Sequence, residues 1–156
     1  MSAIAGWAMC PRVTMLHDGF FEWRAIKGAR AKQPYAVAMK DGSPFGLAGV
    51  WENWRNPNTG EWERTFAVIT VPSNPVVAKI HNRMPAILDP GSYDRWLSTE
   101  PDPYDLLMSY PSEPMTMWPI STRVNKPEND DPSLLERTGD PFDAWAPLEF
   151  RSADRR

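Results

Sequence analysis

A single cysteine, Cys10, in 156 residues leaves no partner for an internal disulfide. That excludes a disulfide-stapled secreted scaffold and fits a reducing compartment. Two histidines and that one cysteine show no metal-ligand spacing, so neither a metal site nor a cofactor is expected. No run approaches the roughly 20 apolar residues of a membrane helix. The opening residues 1–9 lack the basic start and long apolar core of a signal peptide. A cytoplasmic protein without membrane contact is the expectation. Internal repeats and low-complexity tracts are also absent.

What is plentiful points the other way from disorder. Eight Trp, six Phe and four Tyr supply core material, while 17 Pro and 9 Gly favour short elements joined by defined turns. A chain of this length is most simply one domain, of β-rich or α+β class. The net charge of −3 hides an asymmetry: residues 1–88 hold ten Lys/Arg against six Asp/Glu, and residues 89–156 hold seven against fourteen. In the basic half Arg24, Lys27, Arg30, Lys32 and Lys40 follow one another without an intervening acid. Such a run is either a solvated loop or a patch able to contact several phosphates.

Along the chain, residues 1–15 show no period and are expected to be irregular. Asp18-Gly19 is a turn signal before an aromatic strand, Phe20-Phe21-Glu22-Trp23, followed by a basic loop over 25–33. Strands are expected over 34–39 and 45–52, joined as a hairpin at Asp41-Gly42, and Gly46 and Gly49 mark close backbone approach. A turn over 56–60 precedes a strand over 61–71 that becomes continuously apolar, as for one entering the centre of a sheet. The expected order of these strands is a meander. Ser73 is a candidate N-cap for a short helix over 75–79. An extended run over 84–88 comes next. Helices are expected to open at Asp89-Pro90 and Asp102-Pro103, with a late strand over 115–120. Residues from about 139 onward are expected to be a mobile tail.

The candidate chemistry centres on 65–88, where an apolar run feeds Ile80-His81-Asn82-Arg83-Met84-Pro85. On extended backbone, an imidazole and a guanidinium two residues apart point the same way. Cys10, Glu22 and His81 together could be a thiol nucleophile with acid/base partners, yet each also has a plain structural explanation. A Cys-His-Glu thiol hydrolase acting on peptides has no visible oxyanion hole to support it.

Six blocks carry a more specific signal: Asp18-Gly19-Phe20-Phe21-Glu22-Trp23, Lys32-Gln33-Pro34-Tyr35, Leu47-Ala48-Gly49-Val50-Trp51-Glu52, Thr65-Phe66-Ala67-Val68-Ile69-Thr70, the 80–88 block and Ser121-Thr122-Arg123-Val124-Asn125. In order and spacing they resemble the SRAP family, the SOS response-associated peptidases understood as abasic-site processing proteins. The resemblance implies an α+β fold of twisted β-sheets forming an open barrel-like core with short peripheral helices. It also implies binding of single-stranded DNA carrying an abasic site. Family members expose an N-terminal Cys whose α-amine and thiol condense with the opened sugar aldehyde as a thiazolidine. By similarity Glu22 and His81 match the family's active-site glutamate and histidine and Arg83 a DNA-contacting arginine. Arg24, Lys32 and Arg123 are further DNA-binding candidates. Trp23 and Trp51, both in strand runs, are expected in the core.

The chain departs from the family at its start. Position 2 is Ser2, and no asparagine motif precedes the Asp-Gly-Phe block. Residues 1–11 therefore read as an irregular leader, 12–138 as a partial SRAP domain and 139–156 as a tail. Met9-Cys10-Pro11-Arg12 imitates the family's Met-Cys-Gly-Arg opening, which makes Cys10 the candidate nucleophile. An internal Cys10 has no α-amine, so the alternative is a single-strand DNA-binding remnant, or a non-functional fragment, without the nucleophile. Surface uncovered by truncation would then favour self-association. A DNA-processing protein of this kind would sit in the cytoplasm, at the nucleoid in a bacterium.

Overall fold

Strand-forming residues dominate the computed structural model, which describes residues 10–26, 28 and 30–139. Most of the expected leader (1–9), Lys27 and most of the expected tail (140–156) lie outside the described residues. Nine strands are described: β1 (Arg12–His17), β2 (Gly19–Arg24), β3 (Gln33–Met39), β4 (Phe45–Arg55), β5 (Trp62–Val68), β6 (Thr70–Pro72), β7 (Arg83–Pro85), β8 (Ile87–Leu88) and β9 (Met115–Pro119). One five-residue helix, α1 (Tyr93–Leu97), and several 3-10 turns complete the described fold.

The expectation that residues 12–15 are irregular does not hold. Arg12 to His17 pair antiparallel with β4, Arg12 opposite Val50 and His17 opposite Phe45. The alternation Val13, Met15 is too short to signal a strand alone; a partner strand 28 to 38 residues further along completes the ladder.

Neither β1 and β2 nor β3 and β4 form a hairpin, although each pair is consecutive. β1, β4, β5 and β8 make one sheet, β2, β3 and β9 a second, and β6 and β7 a third. The chain thus crosses between sheets at Asp18 and again at the turn containing Gly42, whose φ of +73° suits glycine. The expected meander is corrected at that turn: β2 and β3 pair antiparallel, Phe21 opposite Ala36, and β4 and β5 do so with Trp51 opposite Phe66, but β3 and β4 lie in different sheets. Gly46 and Gly49 are indeed points of close approach. A Cβ on Gly46 would lie 2.6 Å from Thr14 Cγ2 and 2.8 Å from the Tyr93 ring, and one on Gly49 2.6 Å from Met15 Cε.

The expected strand over 61–71 divides at Ile69. Its first part, β5, lies at the edge of its sheet and is exposed along nearly its whole length. Phe66 is 67% exposed, which overturns the reading of a run entering a sheet centre. Continuous apolarity marks burial only when both faces are covered, and here neither is. Its second part, β6, pairs with β7, Val71 opposite Met84. The exchange of partners runs through three backbones. The Ala48 N–H donates to Ala86 O (2.8 Å), the Ile69 N–H to Ala48 O (2.9 Å) and the Ala86 N–H to Ile69 O (2.8 Å). This junction joins the four-stranded sheet to the two-stranded one. No closed barrel forms among the described residues, because β1, β2, β5 and β9 each have one unpaired edge.

The core lies between the sheets, with Val37, Met84, Leu88, Trp96 and Met115 all at most 1% exposed. Phe20 joins it edge-on to Phe45, their centroids 6.4 Å apart. Asp89 caps the turn leading into α1 by accepting from the Gly91 N–H (2.9 Å), as expected. At the preceding turn the cap is Asn74, not Ser73. The buried Asn74 Oδ1 accepts from the N–H groups of Val76 and Val77, and only a 3-10 turn, Val77–Lys79, follows. Asp102 takes a positive φ of 55°, so the helix expected there shortens to a 3-10 turn, Tyr104–Leu106.

Candidate functional site

The 3-10 turn Val77–Lys79 ends with the N–H of His81 donating to Val77 O at 2.9 Å, and two residues later β7 begins. This sequence of turn and strand fixes where the imidazole stands. Its Nδ1 lies 3.2 Å from the Arg83 backbone N and 3.0 Å from Arg83 O. One contact suits an accepting Nδ1 and the other a donating one, so the tautomer decides which forms.

Glu22 arrives from the other side of the site, on β2. Its Oε1 accepts from the Trp23 N–H at 2.9 Å. Its Oε2 stands 3.7 Å from His81 Nδ1, within ion-pair range of an imidazolium but too long for a hydrogen bond. The carboxylate side chain is 20% exposed and the imidazole 43%. The pair is therefore open to a ligand.

Arg83 points its guanidinium back across the β6–β7 ribbon. Nη2 donates to Thr70 O and to Thr70 Oγ1 (3.0 Å), and Nε to Thr70 Oγ1 at 3.3 Å. These contacts hold the planar fork in one orientation while the residue stays exposed.

Glu22, His81 and Arg83 converge on one open cavity of about 1190 Å³. Its walls also carry Phe21, Trp51, Arg64, Phe66 and Thr70. Two guanidiniums against one carboxylate give this lining a positive balance. Trp51 is only partly buried, and the Arg64 guanidinium lies over its ring at 4.7 Å. The expectation that Trp51 is core is corrected: it lines the cavity. Trp23 is also only partly buried, and its indole N–H donates to Asn125 Oδ1 at 2.8 Å.

His17, Arg64 and Phe66 line the same cavity and escape sequence reasoning as site residues. The useful signal was the β4–β5 pairing, which sets Trp51 against Phe66; neither position suggests a site by itself.

The other candidates stand apart from this cavity. Cys10 is partly buried just before β1 and is not among the lining residues. Its neighbour Pro11 accepts from the Trp51 N–H at 2.9 Å. Arg24 ends β2, and Lys32 is exposed ahead of β3. Arg123 pairs with Asp131 (2.7 Å) and donates to Ser133 Oγ (2.8 Å), holding together the loop after β9. Among the described residues no three His, Cys, Asp or Glu side chains converge to hold a metal. None of the described helices is long and apolar enough to cross a membrane.

Comparison with known proteins agrees with the blocks that line this cavity. The family model for SRAP, SOS response associated peptidase, matches residues 7–127. The abasic site processing protein YoqW of Bacillus subtilis is 34% identical over 123 residues, covering 76% of this chain and 54% of its own length. The abasic site processing protein HMCES of Gallus gallus is 31% identical over 162 residues, covering 90% of this chain and 46% of its own. The chain thus spans about half the length of these relatives. A crystal structure of a protein from Bacteroides thetaiotaomicron superposes with a TM-score of 0.75 at 30% identity, covering 88% of this chain and 61% of that one. The extent of the family match, over the blocks that supply Glu22, Trp51, Phe66, His81 and Arg83, shows that this chain belongs to the SRAP family.

Proposed function

We propose that the cavity binds single-stranded DNA at an abasic site and that Glu22 and His81 open the lesion's sugar. The observation that carries this reading is the Glu22–His81 pair, 3.7 Å apart on the wall of an open cavity that also presents Arg83. An abasic deoxyribose is mostly a ring-closed hemiacetal. Glu22 accepts the proton of its C1′ hydroxyl, the C1′–O4′ bond breaks as the carbonyl forms, and His81 as imidazolium delivers a proton to O4′. Arg83, already oriented by Thr70, holds a flanking phosphate. Arg24 and Lys32, near the ends of β2 and β3, extend the track for the strand, and a cytoplasmic, nucleoid-associated location suits the substrate.

Covalent capture as a thiazolidine requires an amine and a thiol on the same cysteine. Within this sequence Cys10 follows Met9 through an amide nitrogen, so sugar opening and covalent capture are tested separately. The test uses a labelled single-stranded oligonucleotide with one abasic site beside an intact control. An aminooxy dye in solution reports aldehyde opening, and a denaturing gel reports crosslinking. Expected are faster dye capture with the protein and loss of that acceleration in Glu22→Gln and His81→Gln. Absence of acceleration together with equal binding of both oligonucleotides overturns the reading. A heat-stable band abolished by Cys10→Ala assigns covalent capture to Cys10, and a band that survives Cys10→Ala assigns it to another group.

A further inference from the structure

From the β4–β5 ribbon we infer a base-stacking platform that grips the unpaired nucleotides flanking the lesion; this rests on the reading just given and identifies what else of the strand is held. The cross-strand pairs Trp51↔Phe66, Asn53↔Arg64 and Arg55↔Trp62 put these six side chains on one face of the ribbon. That face alternates aromatic rings with guanidiniums, and its inner end is the wall of the Glu22–His81 cavity. The opposite face carries Glu52 and Glu63, with Trp54 across from Glu63.

Exposure makes the Trp62–Phe66 face unusual. Phe66 is 67% exposed and Trp62 69%, although large apolar residues at the edge of a sheet ordinarily turn inward. The face is also held in shape by local contacts. Arg64 stacks on Trp51 at 4.7 Å and donates from Nε to Asn53 Oδ1 at 3.3 Å, while Arg55 Nε donates to Gly60 O at 3.0 Å.

Aromatic and guanidinium planes interleaved along a groove suit single-stranded nucleic acid, whose bases offer π-faces of any sequence and whose backbone is anionic. A protein partner would gain from the rings but would face the positive charge of Arg55, Arg64 and Arg83. The charge segregation of the two ribbon faces therefore selects a polyanion. The abasic residue has no base to stack, so the platform acts on its neighbours, while the sugar remains for Glu22 and His81.

The test measures anisotropy of fluorescein-labelled oligothymidine without any lesion, and of an oligomer of equal phosphate number built of stable abasic spacers. Phe66→Ala is compared with Thr65→Ala, which alters the exposed opposite face of the same strand. Expected is a roughly tenfold weaker grip on oligothymidine for Phe66→Ala, the scale of one lost stacking contact, and little change for Thr65→Ala. The spacer oligomer is expected to bind the unaltered protein weakly and Phe66→Ala no worse. Circular dichroism and melting curves of both variants confirm the fold.

Equal binding of oligothymidine by Phe66→Ala and the unaltered protein overturns the platform. So does a Phe66→Ala effect confined to sedimentation, which would assign the face to pairing between copies. Failure here with aldehyde opening intact leaves the acid/base site standing. Failure of both removes the nucleic-acid reading altogether.

Discussion

Glu22 and His81 come from different parts of the fold: one from the middle of β2, the other from the turn that leads into β7. Neither is held by the other, since 3.7 Å is beyond hydrogen-bond reach. Each is instead set by its own backbone, through the Trp23 N–H and the Arg83 peptide. Replacing one should therefore leave the other in place. General acid–base groups typically contribute 10²–10⁴-fold, so Glu22→Gln and His81→Gln are each expected to slow aldehyde capture by roughly 10²-fold. If they act on one proton path, the double variant should lose little more than either alone. Fully multiplicative losses would show that they serve separate steps. At this scale much was legible in the sequence: the spacing of His81 and Arg83 and the isolated carboxylate in an aromatic strand. The roles of Arg64 and Phe66 were not, because a stacked guanidinium and an exposed ring arise from cross-strand pairing that local pattern does not encode.

At the scale of elements, α1 is too short to be stable alone and depends on docking against β1. Trp96 is fully buried and its indole N–H donates to Val13 O at 2.9 Å, while Arg12 lies over its ring at 5.6 Å and donates to the Glu100 carbonyl at 2.8 Å. Trp96→Ala is expected to cost about 3–5 kcal/mol, measured by urea unfolding, enough to loosen β1 and the cavity wall it supplies. A change below about 1 kcal/mol would mean that α1 is dispensable to the fold. Beyond Trp96, Arg95 bridges Glu100 (2.7 Å) and Asp105 (2.6 Å). Hydrogen bonds from Arg95 lower the pKa of both carboxylates. Stability from such groups is present above their unfolded pKa values, near 4, and is lost as pH falls through the lower folded values. Arg95→Gln should therefore lower the melting temperature slightly at pH 7 and make no difference near pH 2, and added salt should shrink the effect because the cluster is exposed. A gap that persists at pH 2 would assign the effect to packing of the Arg95 stem. Most strands and the turn at Asp41-Gly42 could be read from turn residues and alternation. Their assignment to sheets could not, since a tight turn looks the same whether it closes a hairpin or crosses between sheets. β1 escaped for a related reason, its ladder depending on β4.

For the whole molecule, charge is divided along the chain and the division carries into the fold. Every residue lining the cavity lies between Val13 and Pro85, in the half with ten Lys/Arg against six Asp/Glu. In the acidic half Arg95 and Arg123 are engaged with local carboxylates. A chain of net charge −3 can therefore still draw a polyanion to one side. For single strands the slope of log affinity against log salt is about −0.7 for each phosphate neutralised. If Arg64 and Arg83 are the contacts, the slope should be roughly −1.4, and Arg64→Gln or Arg83→Gln should each make it shallower by about 0.7. A slope near zero would leave stacking as the whole of the grip. One steeper than about −3 would require more cations than the cavity holds, and the double variant Arg24→Gln/Lys32→Gln would then locate them: a return toward −1.4 assigns the excess to the β2–β3 loop, and no change excludes that loop from the path of the strand.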